Sequence, residues 1–158
     1  ANKMRFLVFS DSHGCTAPLL SACQSHPDIR HVLFLGDGYD DIAALQAALL
    51  DVQIIGVKGN CDPSSCPLPP LRLLEIENIR LMLTHGHQYG VKFGLEGLKK
   101  AAGDFHARVV LFGHTHVPMD TYQNGAYFFN PGSIAQNNKN YGVLEITQKA
   151  VLFGQPKG

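Results

Sequence analysis

Five short polar clusters in this chain carry residues able to ligate a metal, and each directly follows an apolar run. In order they are SDSHG with Asp11 and His13, GDGYDD with Asp37, GNCD with Asn60 and Asp62, THGHQ with His85 and His87, and GHTH with His114 and His116. Taken singly, each has an ordinary structural reading. Asp37 between Gly36 and Gly38 is a turn residue, Asn60 after Gly59 is another, and one histidine at the end of a strand is a hydrogen-bonded, half-buried side chain. His114 and His116 resist that reading more, because residues two apart in extended backbone project to one face and address one centre. The joint pattern is the stronger argument, since five of the eight histidines fall in these clusters.

Imidazole, carboxylate and carboxamide donors suit borderline or hard divalent ions such as manganese, iron, zinc or nickel better than Cu(I). Asp37 is the candidate bridge, because one carboxylate has two oxygens and its charge offsets the repulsion between two cations. Two ions about 3.5 to 4 Å apart can share a hydroxide and clamp the oxygens of a phosphate ester for in-line attack. The charge balance fits such local binding. Thirteen Lys and Arg offset thirteen Asp and Glu, so there is no long-range positive field to recruit nucleic acid or an anionic membrane. Any anion must be gripped at the site itself, and the metals supply the charge.

The apolar runs that precede the clusters are RFLVFS, HVLFLG, QIIGVKG, IRLMLT and RVVLFG. They are too continuous for half-exposed strands and too short for ordinary helices, which predicts buried strands. Ala17 to His26, with Thr16 as N-cap and Pro18 in the first turn, predicts a helix between the first two. Asp40 to Leu50 predicts another by its apolar spacing. Strand, helix, strand, helix, strand implies right-handed crossovers and a parallel sheet. The pattern then changes to hairpins, one turning near Glu77 and Asn78 and one at Asn124 and Gly125. Val91 to Gly103 reads as a helix, Tyr141 to Ile146 and Ala150 to Phe153 as terminal strands, and the proline-rich Cys61 to Leu71 as a surface loop. Ligand sites in open α/β sheets form beyond the carboxyl ends of strands, so separated segments can deliver their tips to one place.

The 158 residues suit a single domain, 1–158, that buries about two thirds of its unfolded surface. No apolar run is long enough for a membrane span and no signal-peptide pattern opens the chain, so a cytoplasmic protein is expected. Cys15, Cys23, Cys61 and Cys66 lack CxxC spacing and read as reduced thiols, with a zinc pair of Cys61 and Cys66 the weaker reading. His26, His31 and His106 lie outside the clusters and read as solvent or capping histidines.

The order DSH, GD, GNCD, THGH, GHTH resembles the calcineurin-like metallophosphoesterases, and is most similar to their small YfcE-like branch, which includes archaeal and bacterial phosphodiesterases and Vps29. With NPGS at Asn130 to Ser133, the resemblance spans Met4 to about Phe153. It implies an α/β fold, a four-layer αββα sandwich of two mixed β-sheets flanked by helices, with a dinuclear centre. Carried over by position, Asp11, His13, Asp37 and His116 hold the first ion, and Asp37, Asn60, His85 and His114 the second. Manganese is the first expectation for both ions, with nickel, zinc or iron as alternatives. Asn60 also approaches the phosphoryl oxygens, while NPGS either borders the site as a turn or contacts substrate.

One position departs from the wider superfamily. Many members place histidine after GN, where it acts on the leaving group, and this chain has Cys61. A thiol is a poorer proton donor there. Cys61 is either a spacer lining the pocket or the catalytic acid, and His87 is a rival proton donor. The expected activity is a metal-dependent phosphoesterase acting on a small phosphate ester, diesters ahead of monoesters. The alternatives are a Vps29-like protein-binding scaffold and a single structural metal site. The natural substrate, the physiological metal and the existence of a homo-oligomer are left open. Tyr39, Tyr89 and the proline-rich loop are the expected pocket walls.

Overall fold

The computed structural model describes residues 3–135, 140–147 and 151–154. Along the chain run β1 (Lys3–Phe9), α1 (Thr16–Ser25), β2 (His31–Phe34), α2 (Tyr39–Ala48), β3 (Gln53–Gly56), β4 (Leu71–Ile76) and β5 (Ile79–Thr84). Two short 3₁₀ turns, His87–Tyr89 and Val91–Phe93, lead into α3 (Glu96–Phe105), followed by β6 (Val109–Leu111), β7 (Met119–Gln123), β8 (Ala126–Asn130), β9 (Gly142–Thr147) and β10 (Val151–Gly154).

The strands form two five-stranded mixed sheets, ordered β10-β9-β1-β2-β3 and β4-β5-β6-β8-β7. In the first, β1, β2 and β3 are parallel, with Leu7 beside Val32 and Val32 beside Ile54. In the second, β5, β6 and β8 are parallel, with Leu83 beside Leu111 and Leu111 beside Phe129.

Alternating residues on each central strand build different layers. Phe6 and Val8 of β1 pack with Leu33, Leu81, Leu83, Leu111 and Phe129 between the sheets. Leu7 and Phe9 point the other way, onto Leu19 and Ala22 of α1 and Ile42 and Leu45 of α2. On the far side, Met82, Val110 and Phe128 meet Leu98, Ala101 and Ala102 of α3. This is the αββα arrangement. It explains why the central runs are apolar without alternation, because both faces are covered. Truncating a fully buried leucine such as Leu33 or Leu81 to alanine costs about 2–5 kcal/mol.

Both hairpins turn where their sequences require, with positive φ at Glu77 and Asn78 and at Asn124 and Gly125. Three expectations need correction. The helix expected over Val91 to Gly103 begins only at Glu96, because Gly90 and Gly94 hold positive φ and break the segment into 3₁₀ turns. Thr16 is not the N-cap of α1: Cys15 occupies that position without a side-chain cap, and the Thr16 hydroxyl donates to Asp41 Oδ1 at 2.7 Å. The last two strands run one residue later than their apolar patterns indicate, and Ala150 lies outside the described residues.

Of the histidines outside the clusters, His106 is exposed at the C-cap of α3. His26 is half-buried with its Nε2 3.0 Å from the Tyr141 hydroxyl, and His31 opens β2 against the Phe6 ring.

Candidate metal centre

The carboxyl ends of β1, β2 and β3 in one sheet and of β5 and β6 in the other carry the five polar clusters. Backbone hydrogen bonds stitch them together. Asp11 N donates to Gly36 O at 2.9 Å and His13 N to Asp37 O at 3.0 Å, joining the first cluster to the second. Gly113 N donates to His85 O at 3.0 Å, joining the fourth to the fifth. Gly36 is required at the centre of this meeting point: a Cβ there would lie 2.7 Å from His85 Nδ1 and 2.8 Å from the Gly59 Cα.

The ligand-type side chains sit on unusual backbone. Asp11 (φ 57°), His13 (φ 44°), Asp37 (φ 65°), His114 (φ 69°) and His116 (φ 64°) are all left-handed. Such conformations are uncommon outside glycine and persist only where the surroundings over-determine them. Here they turn each side chain inward.

Six side chains converge. Asp11 Oδ1 lies 3.5 Å from His13 Nε2, 3.7 Å from His85 Nε2 and 3.3 Å from His116 Nε2. Asp37 Oδ2 lies 3.1 Å from His85 Nε2 and 3.8 Å from His13 Nε2. His13 and His116 bring their Nε2 atoms within 3.2 Å, and His114 Nδ1 is 3.2 Å from His85 Nε2. Ligand atoms of Asp11, His13 and His116 form one group within 4.8 Å, and those of Asp37, His85 and His114 form another. Asp11 Oδ1 is fully buried, yet no donor among the described residues hydrogen-bonds to it. A buried carboxylate oxygen without a donor is costly, and a cation removes that cost. The residues therefore fit divalent metal.

The remaining polar atoms are committed elsewhere, which orients the free ones. Asp11 Oδ2 accepts from the Ser10 hydroxyl at 2.5 Å and from His114 N at 3.1 Å. Asp37 Oδ1 accepts from Cys61 N at 2.8 Å. His85 Nδ1 lies 2.7 Å from Leu35 O, so this nitrogen carries the proton and donates. Its Nε2 faces the carboxylates: protonated, it donates to Asp37 Oδ2 at 3.1 Å, and loss of that proton frees the lone pair a metal would need.

Burial opposes charge on Asp37, but the His85 hydrogen bond and charge, the Cys61 N–H and His13 outweigh it and hold the carboxyl at about 2. His85 is likewise opposed by burial and raised by Asp37 and Asp11. Burial, then the charge of His85, lowers His87 and His114. Burial and the Asp37 carboxylate push the Cys61 thiol up.

The other expected residues lie at the margin. Asn60 is exposed on the turn between Gly59 and Cys61, next to the Cys61 N–H that reaches Asp37. His87 is exposed, its ring 5.5 Å from that of His85 and 6.0 Å from that of His114. Cys61 is exposed and lines an open cavity of about 320 Å³ with His13, Asp37, Tyr39, Asp62 and Pro63. Tyr39 and the start of the proline-rich loop are thus walls of this cavity, whereas Tyr89 packs on the α3 side of the second sheet. Cys66 is buried and joins no ligand group among the described residues. NPGS proves to be a brace: Asn130 and Ser133 are fully buried, Asn130 Nδ2 donates to Gly113 O and Thr115 Oγ1, and the Ser133 hydroxyl donates to Asp11 O at 2.8 Å.

Two supporting roles were not legible in the sequence, that of Asp62, which it offered only as a ligand type, and that of Asp41. The Asp62 carboxylate accepts from four backbone N–H groups, those of Asp37, Gly38, Tyr39 and Gly59, at 2.8–3.0 Å. It locks the second cluster to the third. Asp41, buried at the start of α2, accepts from the Ser12 hydroxyl, Gly14 N and the Thr16 hydroxyl at 2.6–2.8 Å and fixes the loop that carries His13. Each has a faint signal, an acidic residue within one cluster or in a helix's first turn, but its partners are remote backbone groups.

Residues 4–149 match the model of the calcineurin-like phosphoesterase superfamily domain. The chain belongs to that superfamily. Among curated relatives, this phosphoesterase domain is 30% identical over 152 residues to the probable metallophosphoesterase YsnB of Bacillus subtilis, covering 93% of this chain and 87% of YsnB. It is 32% identical over 111 residues to phosphodiesterase YfcE of Escherichia coli, covering 63% of this chain and 56% of YfcE. Its fold matches a predicted phosphoesterase from Streptococcus pneumoniae with TM-score 0.84 and 26% identity, over 99% of this chain and 91% of that one. It also matches Vps29 from Entamoeba histolytica with TM-score 0.75 and 24% identity, over 97% and 98% of the two chains, a likeness of fold. No helix among the described residues is long and apolar enough to cross a membrane.

Proposed function

We propose that this domain hydrolyses phosphate esters, diesters ahead of monoesters, with two divalent cations held by the converging clusters. The observation that carries the reading is Asp11 Oδ1, a buried carboxylate oxygen with no hydrogen-bond donor and three imidazole nitrogens at 3.3–3.7 Å. Asp11, His13 and His116 would hold one ion and His85, Asn60 and His114 the other, with Asp37 shared because its Oδ2 faces residues of both groups. Bound divalent ions supply Lewis-acid charge to phosphoryl oxygens and acidify water, manganese being the first candidate.

The chain's own residues prepare that chemistry. Leu35 O holds the His85 tautomer, the Cys61 N–H orients Asp37, and the Ser10 hydroxyl and His114 N–H leave only one oxygen of Asp11 free. Asn60, exposed beside the cavity, would contact the phosphoryl group. His87, exposed with its ring 5.5 Å from that of His85 and 6.0 Å from that of His114, is the proton donor in this reading ahead of Cys61, whose thiol is a weak hydrogen-bond partner. In a chain without net charge, bound cations would supply the positive charge for an anionic substrate. The diester preference rests on YfcE, a phosphodiesterase by name, and on the absence of the superfamily's histidine at position 61.

The test is turnover of a chromogenic diester and a monoester by manganese-loaded protein. Turnover should be faster on the diester, vanish on chelation and return with added ion; no turnover on either ester would overturn the proposal. The likeness to Vps29 supports a second reading, a protein-binding scaffold. A fully metal-loaded chain that turns over neither ester but captures a partner in stoichiometric amount would favour it.

A further inference from the structure

The cavity carries a third ligand group, which joins two residues of the proposed metal positions to Cys61, a side chain that neither position uses. Atoms of His13, Asp37 and Cys61 lie within 4.8 Å of one another, and Cys61 is exposed at the cavity wall. This group is not an isolated thiol. It shares His13 and Asp37 with the centre, and the buried, donorless Asp11 Oδ1 stands 3.5 Å from His13 Nε2.

We propose that Cys61, with His13 and Asp37, forms a site selective for thiophilic divalent cations, zinc or cadmium, that competes with the manganese-binding arrangement for two of its ligands. This inference rests on the proposed metal centre, since it assigns a rival use to residues of that centre. The donor set argues for selectivity: one imidazole, one carboxylate and one sulfur make a borderline-soft triad, and sulfur gains much more from zinc or cadmium than from manganese. Zinc bonds of about 2.3 Å to sulfur and about 2.1 Å to nitrogen require the three atoms to draw together slightly. The exposed Cys61 side chain has room to make that adjustment. On binding, a metal–sulfur bond forms, the S–H bond breaks, and the proton passes to buffer. No electron is transferred. Because Asp37 and His13 cannot serve both arrangements at once, a cation held by Cys61 pulls them from the catalytic geometry, so thiophilic metal should inhibit.

The experiment is a cadmium titration of the metal-free chain, followed by the ultraviolet sulfur-to-cadmium charge-transfer band, in the wild type and in Cys61→Ser. The wild type should develop the band at stoichiometric cadmium, and Cys61→Ser should lose it while its cadmium affinity falls at least about tenfold. Manganese affinity should be unchanged by the substitution. A band of equal size in both proteins, or cadmium binding without a band in the wild type, would overturn the inference. As a second readout, zinc should protect Cys61 from alkylation, followed by mass spectrometry, and manganese should not; equal protection by both ions counts against the site. If manganese fails to bind either protein while the cadmium band behaves as stated, the metal centre as proposed is wrong and the thiophilic site stands.

Discussion

Left-handed backbone occurs at two ends of this molecule, and the two ends hold it by different means. At the hairpins, Glu77, Asn78 and Asn124 adopt positive φ, where two-residue turns between twisted strands need it. Asn78 and Asn124 are exposed and nothing else need hold them. At the candidate metal centre, Asp11, His13, Asp37, His114 and His116 adopt the same region outside any hairpin. There the backbone is held by Asp62, Asp41, Asn130 and Ser133, each spanning to a different cluster or loop. The lesson is that strain alone does not mark function. Strain maintained by several long-range braces does.

Substitutions at the two ends should therefore separate activity from stability. The largest effect is expected at Asp37→Ala, which removes the carboxylate proposed to be shared by the two ions: diester turnover should fall roughly a thousandfold, the scale of losing a preorganised charged contact. Next is Asp62→Ala. Four backbone donors lose their acceptor, so stability should drop by about 2–3 kcal/mol in urea unfolding and turnover should fall with it. Ser133→Ala removes one hydroxyl from Asp11 O and should cost about 1 kcal/mol, with a measurable loss of turnover. At the other end, Gly125→Ala places a Cβ on φ 78° and should cost about 1 kcal/mol while turnover per folded molecule stays at the wild-type value. If Gly125→Ala and Ser133→Ala lower activity equally at equal stability, the contrast between the two ends fails.

A subtler test uses acid. Asp37 is held at about 2, below its ordinary value of 3.8, so its charge stabilises the folded, metal-free chain above about pH 4 and that contribution fades as pH falls toward 2. The urea midpoints of the wild type and Asp37→Asn should differ most near pH 5 and converge as the pH approaches 2. A gap that stays constant over that range would show that the Asp37 charge contributes nothing there.

The succession of buried strands along the chain, the hairpin turns and six of the seven expected ligands, all but Asn60, were legible in the sequence, for a common reason. A buried strand announces itself by continuous apolar residues, and a ligand placed at its carboxyl end inherits the strand's position. What escaped has a different cause. The 3₁₀ turns before α3 depend on the backbone angles at Gly90 and Gly94, which the apolar spacing of Val91, Leu95 and Leu98 does not reveal. Asp41 and Asp62 are acidic residues near ligands, indistinguishable by type from ligands themselves. Only the distances show that their oxygens are spent on loop N–H and hydroxyl groups. NPGS reads equally well as turn or substrate contact until burial decides for the brace.

The central claim is that two cations sit between these clusters and share Asp37. Elemental analysis of manganese-loaded, gel-filtered protein tests it most directly. The account predicts about two ions per wild-type chain and one or none in Asp37→Ala. A wild-type ratio that saturates at one, or a ratio of two that survives Asp37→Ala, would contradict it.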